Sequence, residues 1–182
     1  MLMRFTNVLK LVIAIAVSGL AGVIGAIFTA PAIIWYAGLV KPALNPPAWV
    51  FGPVWTALYA LIGISLYLAW KNDWKVNNPI LAGERKTWNA WSERLWTGDL
   101  QKVNAVAIFG VQYVLNGAWS YLFFGLRLPG FAFFELCALW FAIVWTTVVF
   151  YRISRLAAYL LVPYLLWVSF AVYLNYSIWV LN

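Results

Sequence analysis

The charged residues of this chain are spaced so that long uncharged runs lie between them. Thirty uncharged residues separate Lys10 from Lys41, 29 separate Lys41 from Lys71, 24 separate Lys102 from Arg127, and 27 follow Arg155. One further apolar run between Arg127 and Arg152 is interrupted only by Glu135. A membrane-spanning helix needs about 20 apolar residues, so the pattern predicts spans near 11–31, 49–70, 103–124, 130–151 and 156–180. The runs lack the two-residue alternation and the roughly ten-residue length of barrel strands, and lipid admits only helices or closed barrels. The expected fold class is an all-α integral membrane protein, a five-transmembrane-helix bundle, with residues 1–182 forming a single membrane domain. The first run is too long for a cleaved signal peptide, and no clear small-residue cleavage site ends it.

Two connections exceed what a bundle requires. Residues 31–49 carry Pro31, Pro42, Pro46 and Pro47. That density argues against a helix, whereas Trp35, Tyr36, Leu39 and Leu44 argue for an ordered lid packed over one end of the bundle. In 71–102, Trp88, Trp91 and Leu95 recur at i, i+3, i+7, which predicts a short helix lying in the membrane interface.

Composition sharpens the picture. The chain is 65% hydrophobic and 9% charged, against about 45–50% and about 25% in soluble domains, which excludes a soluble globular enzyme and intrinsic disorder. It has no His and a single Cys, Cys137. This removes the commonest general base and metal ligand and any multi-Cys metal site or disulfide framework, so no metal and no required cofactor is expected. Five spans put Arg4, Lys10, Lys71, Lys75, Arg85, Lys86, Arg94, Lys102, Arg152 and Arg155 on one side and leave Lys41 and Arg127 on the other. That asymmetry predicts a cytoplasmic N-terminus and an external C-terminus in a bacterial-type plasma membrane. The net charge of +7 is then a topology signal, and no nucleic-acid partner is expected.

Polar and aromatic positions mark candidate chemistry. Gln112, Asn116 and Ser120 recur every four residues beside Trp119 and Phe123, either as interhelical hydrogen-bonding groups or as the polar edge of a pocket. Phe51, Trp55 and Tyr59 align similarly on the second span, and Tyr159, Pro163, Trp167, Ala171, Asn175 and Trp179 on the fifth. Ser18, Gly22 and Gly25 offer the first span close helix contact. Pro53 falls in the expected first turn of its helix, where proline costs little. Glu135 enters the fourth span and is expected to face the bundle or pair with Arg127, because an ionised, lipid-facing acid costs at least ~2.5 kcal/mol. Of 13 Trp, Trp70, Trp74, Trp88, Trp91, Trp96 and Trp179 sit near span ends and form an interfacial belt. Trp55, Trp119, Trp140, Trp145 and Trp167 do not, and suit either a pocket for a large flat ligand or an aromatic core.

Three stretches, PPAWVFGPVWTALY at 46–59, VQYVLNGAWSYLFFGLRLPG at 111–130 and SRLAAYLLVPYLLWVSFAVYLNYSIWVLN at 154–182, resemble the translocator protein family, also called the tryptophan-rich sensory protein or peripheral-type benzodiazepine receptor family (TspO/MBR). The likeness covers roughly 31–182. It implies a five-helix bundle, usually a homodimer, that binds porphyrins such as protoporphyrin IX between its helices beneath the first loop. Carried over residue by residue, it makes Trp55 and Trp167 pocket tryptophans, Asn116 and Trp119 helix contacts to the ligand with Gln112 near the same polar edge, Ala171 the small position shaping the pocket, and Tyr36 a loop aromatic over the ligand. The fifth span ends without the basic residue of the proposed cholesterol motif found in eukaryotic members, a pattern of hypothesis grade even when complete, so cholesterol is not expected. The 71–102 connection is longer than is usual in the family.

Three function classes follow: a porphyrin-binding protein or sensor tied to tetrapyrrole metabolism or stress, a tetrapyrrole or lipid transporter, and an enzyme degrading porphyrin in light and oxygen through Trp55 and Trp167. Binding is the expectation, with porphyrin or another hydrophobic small molecule, membrane lipid and a second copy of the chain as partners. The charge asymmetry makes one prediction: a reporter active only in the cytoplasm, fused to Asn182, gives no signal, whereas a bright fusion reverses the orientation and leaves the five spans standing.

Overall fold

The computed structural model describes residues 2–71 and 98–182. Its elements are α1 (Leu2–Thr29), a 3-10 turn (Ala30–Ala32), α2 (Ile33–Gly38), α3 (Ala48–Lys71), α4 (Gly98–Ser120) continued by a π-turn (Tyr121–Gly125), α5 (Pro129–Ile153) and α6 (Arg155–Leu181). Among the described residues there is no strand, and five helices are long and apolar enough to cross a membrane. The short helix expected around Trp88, Trp91 and Leu95 lies outside the described residues.

The proline argument against helix in 31–49 holds only in part. Pro31 sits where α1 passes into the 3-10 segment. The chain stays helical on both sides of it, with Thr29 and Ile33 in the right-handed helical region, and α2 follows immediately. The first apolar stretch therefore runs as one span over Asn7–Gly38, and the irregular lid shrinks to 39–47. Pro53 departs from expectation the other way. Helix α3 starts at Ala48, which puts Pro53 inside the helix beyond its first turn.

The helices close a ring in the order α1, α3, α6, α5, α4 and back to α1. Lipid as apolar as leucine gives no hydrophobic drive between helices, so close packing and interhelical hydrogen bonds hold the ring. At Gly63 an added Cβ would lie 2.6 Å from Ile15 Cα, so α1 and α3 meet backbone against backbone. Ser65 Oγ donates to the Ala157 carbonyl at 2.7 Å, joining α3 to α6, and the Tyr113 hydroxyl donates to the Val17 carbonyl at 2.7 Å, joining α4 to α1. Apolar side chains also cover the outer surface: Ile27, Val106, Phe141 and Leu166 are each more than 60% exposed, as a lipid-facing surface requires. Trp145 belongs to that surface at 61% exposure, and Trp140 donates its indole N–H to Ser169 Oγ at 2.8 Å.

The main core fills the end of the bundle away from the lid. It is built on Leu58 and Ile62 of α3, Phe109 of α4, Leu139, Ile143 and Phe150 of α5, and Leu161 and Tyr164 of α6. Phe109 and Phe150 stack within 4° of parallel, 6.2 Å apart. At the lid end a smaller cluster of Phe123, Ala132 and Ile178 meets Trp35, Tyr36 and Leu39 from the lid. The lid is fastened from below. Asn182 Oδ1 accepts from the Val40 N–H, and Asn182 Nδ2 donates to the Val40 carbonyl, both at 3.0 Å. The Tyr36 hydroxyl donates to Asn45 Oδ1, also at 3.0 Å.

Glu135 faces inward, its carboxylate oxygens enclosed and without a hydrogen-bond partner. The alternative pairing with Arg127 does not form, because the α4–α5 turn carries Arg127 out at φ 57° and over the Trp35 ring at 5.8 Å.

Glycines at two places separate packing from propensity. Gly63→Ala drives a methyl group into the α1 backbone and is expected to lower unfolding stability by roughly 1–3 kcal/mol. Gly110→Ala, with nothing within 4 Å, is neutral or stabilising by up to about 1 kcal/mol. Helicity followed through a denaturant titration in detergent checks both, and equal effects at the two sites would contradict the α1–α3 contact.

Candidate functional site

Toward the lid the bundle is hollow. A cavity of about 850 Å³ lies among α1, α3, α4 and α6 beneath α2, with no residue contributed by α5. That is within the roughly 300–1,000 Å³ range of small-molecule sites. Each wall has a distinct cause. On α1, Gly19, Gly22, Gly25 and Ala26 leave space where side chains would stand, and neighbours enforce two of these positions. A Cβ at Gly22 would lie 2.6 Å from the Tyr59 ring, and one at Gly25 would lie 3.1 Å from Ser120 Oγ. The small residues of α1 thus serve this bundle's interior.

On α3 the four-residue ladder of Phe51, Trp55 and Tyr59 faces inward, with Trp55 and Tyr59 stacked at 5.3 Å and 26°. On α4, Asn116, Trp119 and Ser120 are followed by Phe123 and Phe124. The last two lie in the π-turn, where the Leu126 N–H reaches back to the Tyr121 carbonyl at 2.8 Å. Such wide turns are rare and occur frequently at functional sites. Helix α6 supplies Ala171, Leu174, Asn175 and Ile178, and α2 supplies Ile33 and Tyr36 as the roof.

Two amides tie the walls together. Tyr59 donates its hydroxyl proton to Asn116 Oδ1 at 2.9 Å, and Asn116 Nδ2 donates to the Tyr164 hydroxyl at 3.0 Å, spanning α3, α4 and α6. Nearer the lid, Trp119 donates its indole N–H to Asn175 Oδ1 at 2.9 Å, and Asn175 Nδ2 donates to the Pro129 carbonyl at 2.7 Å. These groups spend much of their hydrogen-bonding capacity on one another. The surface offered to a guest is therefore mostly ring faces and aliphatic carbon, with the Tyr59 oxygen and the Ser120 hydroxyl as local polar features.

Of the seven residues singled out from the sequence, Tyr36, Trp55, Asn116, Trp119 and Ala171 line this one cavity. Gln112 and Trp167 are not on its wall. Gln112 is buried one helical turn before Asn116, farther from the lid. Trp167 packs against Phe51, edge to face at 5.9 Å. Sequence reasoning did not assign Tyr59, Phe123, Phe124 or Asn175 to a site, although Tyr59 and Asn175 already stood in its four-residue series. Phe123 also stood beside the polar stripe, four residues after Trp119, whereas the π-turn that positions Phe124 leaves no periodic signal. Among the described residues no group of three His, Cys, Asp or Glu could hold a metal, and Cys137 lies on α5, which gives nothing to the cavity.

Comparison with known proteins agrees with this architecture. The profile of the TspO/MBR family matches residues 13–180. The chain is 41% identical to the tryptophan-rich protein TspO of Archaeoglobus fulgidus over 97% of its own length and 99% of the relative's. It is 40% identical to the human translocator protein over 80% of this chain and 73% of that protein. Protein CrtK of Rhodobacter capsulatus is 33% identical, over 89% and 86% of the two chains. With matching spans, motifs and relatives along nearly its whole length, the chain belongs to the TspO/MBR family.

Proposed function

We propose that the protein is a membrane-embedded binding protein and sensor for porphyrins such as protoporphyrin IX, and for similar flat hydrophobic ligands, linked to tetrapyrrole metabolism or stress response. One observation carries the reading: an aromatic-walled cavity of about 850 Å³ without a charged lining residue, roofed by α2. Flat rings suit it because Trp55, Trp119 and Phe123 present π-surfaces, and offset or edge-on ring contacts each contribute about 0.5–1.5 kcal/mol beyond burial. The packed core below the cavity favours holding a guest over passing it through the membrane. Photo-oxidative degradation would have Trp55 at the wall and Trp167 packed against Phe51. We place the N-terminus in the cytoplasm of a plasma membrane on the basic-residue asymmetry, and we take the protein as a homodimer.

The dimer reading rests on the outer face of α4. Val103, Val106 and Val114 are strongly exposed there. A Cβ at Gly110 would meet nothing within 4 Å, and one at Gly117 only Ile24 Cγ2 at 3.8 Å. These glycines are not required by the bundle's own packing, and low ridges permit close approach of a second helix.

Absorbance and fluorescence titration with protoporphyrin IX, in darkness and under light, tests the main reading. Saturable quenching without products is expected. New absorbing products under light would mean an enzyme, and no binding would reject the porphyrin reading. Trp55→Phe is expected to weaken binding roughly 2- to 13-fold, the equivalent of about 0.5–1.5 kcal/mol, while Trp145→Phe on the lipid face leaves it unchanged. Equal affinities for both variants and the parent would take Trp55 out of the site. For the dimer, Gly117→Leu is expected to shift mass toward monomer in light scattering with helicity retained, and a helical, still dimeric variant would move the interface elsewhere.

A further inference from the structure

Every residue lining the cavity is uncharged. An ionised group taken inside would lose its hydration without a partner, which is costly, so a charged guest must leave its charges at the mouth. Two cations stand at the lid end, beside the roof of the cavity. Lys41 Nζ lies 4.8 Å over the ring of Tyr36, which forms part of the cavity roof. Arg127 Cζ lies 5.8 Å over the ring of Trp35. Trp35 and Tyr36 both pack edge-on against Phe123, at 5.8 and 6.3 Å, and Phe123 is in the wall. The cations thus bracket one aromatic corner, one from the lid and one from the α4–α5 turn.

Both are held in place, and their own chain offers them no described counterion. Lys41 Nζ donates to the carbonyls of Ala37 and Leu39 at 3.1 and 3.0 Å, which leaves one of its three N–H groups for another acceptor. Arg127 is exposed, and its backbone is fixed at φ 57°, a conformation uncommon outside glycine. The chain has five acids: Asp73, Glu84, Glu93, Asp99 and Glu135. Of the two among the described residues, Asp99 stands in the first turn of α4, at the end of the bundle opposite the lid. Glu135 is enclosed in the bundle without a hydrogen-bond partner. Among the described residues Lys41 and Arg127 are the basic side chains at the lid end; Lys41 stacks on Tyr36 of the cavity roof, and Arg127 on Trp35 beside it.

We propose that Lys41 and Arg127 form an anion subsite at the cavity mouth, taking the carboxylates of a guest whose planar apolar body lies inside. The ligand class is then a flat hydrophobic ring system bearing carboxylates on one edge. The proposal rests on the porphyrin-type reading above and assigns which end of such a guest faces the lid.

The test uses full-length protein in nanodiscs of zwitterionic lipid, so that no anionic membrane surface contributes. Protoporphyrin IX, a dicarboxylate, is compared with its dimethyl ester, which keeps the ring and removes both charges. The parent is expected to bind the diacid more tightly. Lys41→Gln and Arg127→Gln are each expected to weaken diacid binding roughly two- to fivefold, as for exposed ion pairs. Neither changes diester binding, which also reports that the cavity is intact, and Lys41→Arg retains the diacid preference. Equal affinity of the parent for both guests would assign the cations to lipid phosphates and overturn the subsite while leaving the cavity reading in place. Parallel loss of both guests in the Gln variants would give Lys41 and Arg127 a purely structural role and overturn it as well. If neither guest binds the parent, the porphyrin reading falls and takes the subsite with it.

Discussion

Asn116 is the brace on which the hollow half of the bundle depends. A cavity forfeits the dispersion contacts its lining atoms would otherwise make, and nothing in lipid pushes helices apart to preserve one. Something must therefore fix the separation of the walls. Asn116 does so by accepting from Tyr59 on α3 and donating to Tyr164 on α6, with Tyr164 itself only 1% exposed. An inward collapse of either helix would break one of these hydrogen bonds. Asn175 repeats the device nearer the lid, between Trp119 and the Pro129 carbonyl at the start of α5. The same polar stripe thus holds helices together and holds them at a distance.

This division of labour explains why the aromatic residues differ in role. Away from the lid, Phe109, Phe150 and Tyr164 fill space. Toward the lid, Trp55, Trp119 and Phe123 surround space, and the glycines of α1 keep that space open while remaining in contact with Tyr59 and Ser120. Helix α5 contributes to the filled half and closes the ring between α4 and α6 without reaching the cavity.

The five spans were legible from charge spacing alone because lipid imposes one length and one hydrogen-bonding solution on every crossing. The four-residue stripes were legible too, since their period is the helix's own. What the sequence concealed was depth along the axis. Gln112, Asn116 and Ser120 share a face, yet only the last two reach the cavity, and periodicity carries no marker for where a cavity ends. Trp167 is a related case: it shares the Ala171 series, yet it packs edge to face against Phe51 of α3 and does not line the cavity. Counting prolines misread the lid, because the chain passes Pro31 through a short 3-10 segment and remains helical to Gly38. The π-turn at Tyr121–Gly125 arises from the tight α4–α5 corner, with Arg127 at positive φ, and no local residue pattern announces it.

Helix α6 connects the cavity wall to its cover. Ala171, Leu174, Asn175 and Ile178 lie on the face that lines the cavity, and Asn182, one turn beyond Ile178, clasps both the N–H and the carbonyl of Val40. Asn182 also donates to the Ile178 carbonyl at 2.8 Å, so the clasp is anchored to the helix whose side chains would meet a guest. Opening the lid requires parting that paired clasp or moving α6 with it. Moving α6 in turn strains Asn175 against Trp119 and Tyr164 against Asn116. Wall, brace and cover therefore share one rigid element, and a guest pressing on α6 presses on the fastening of the lid.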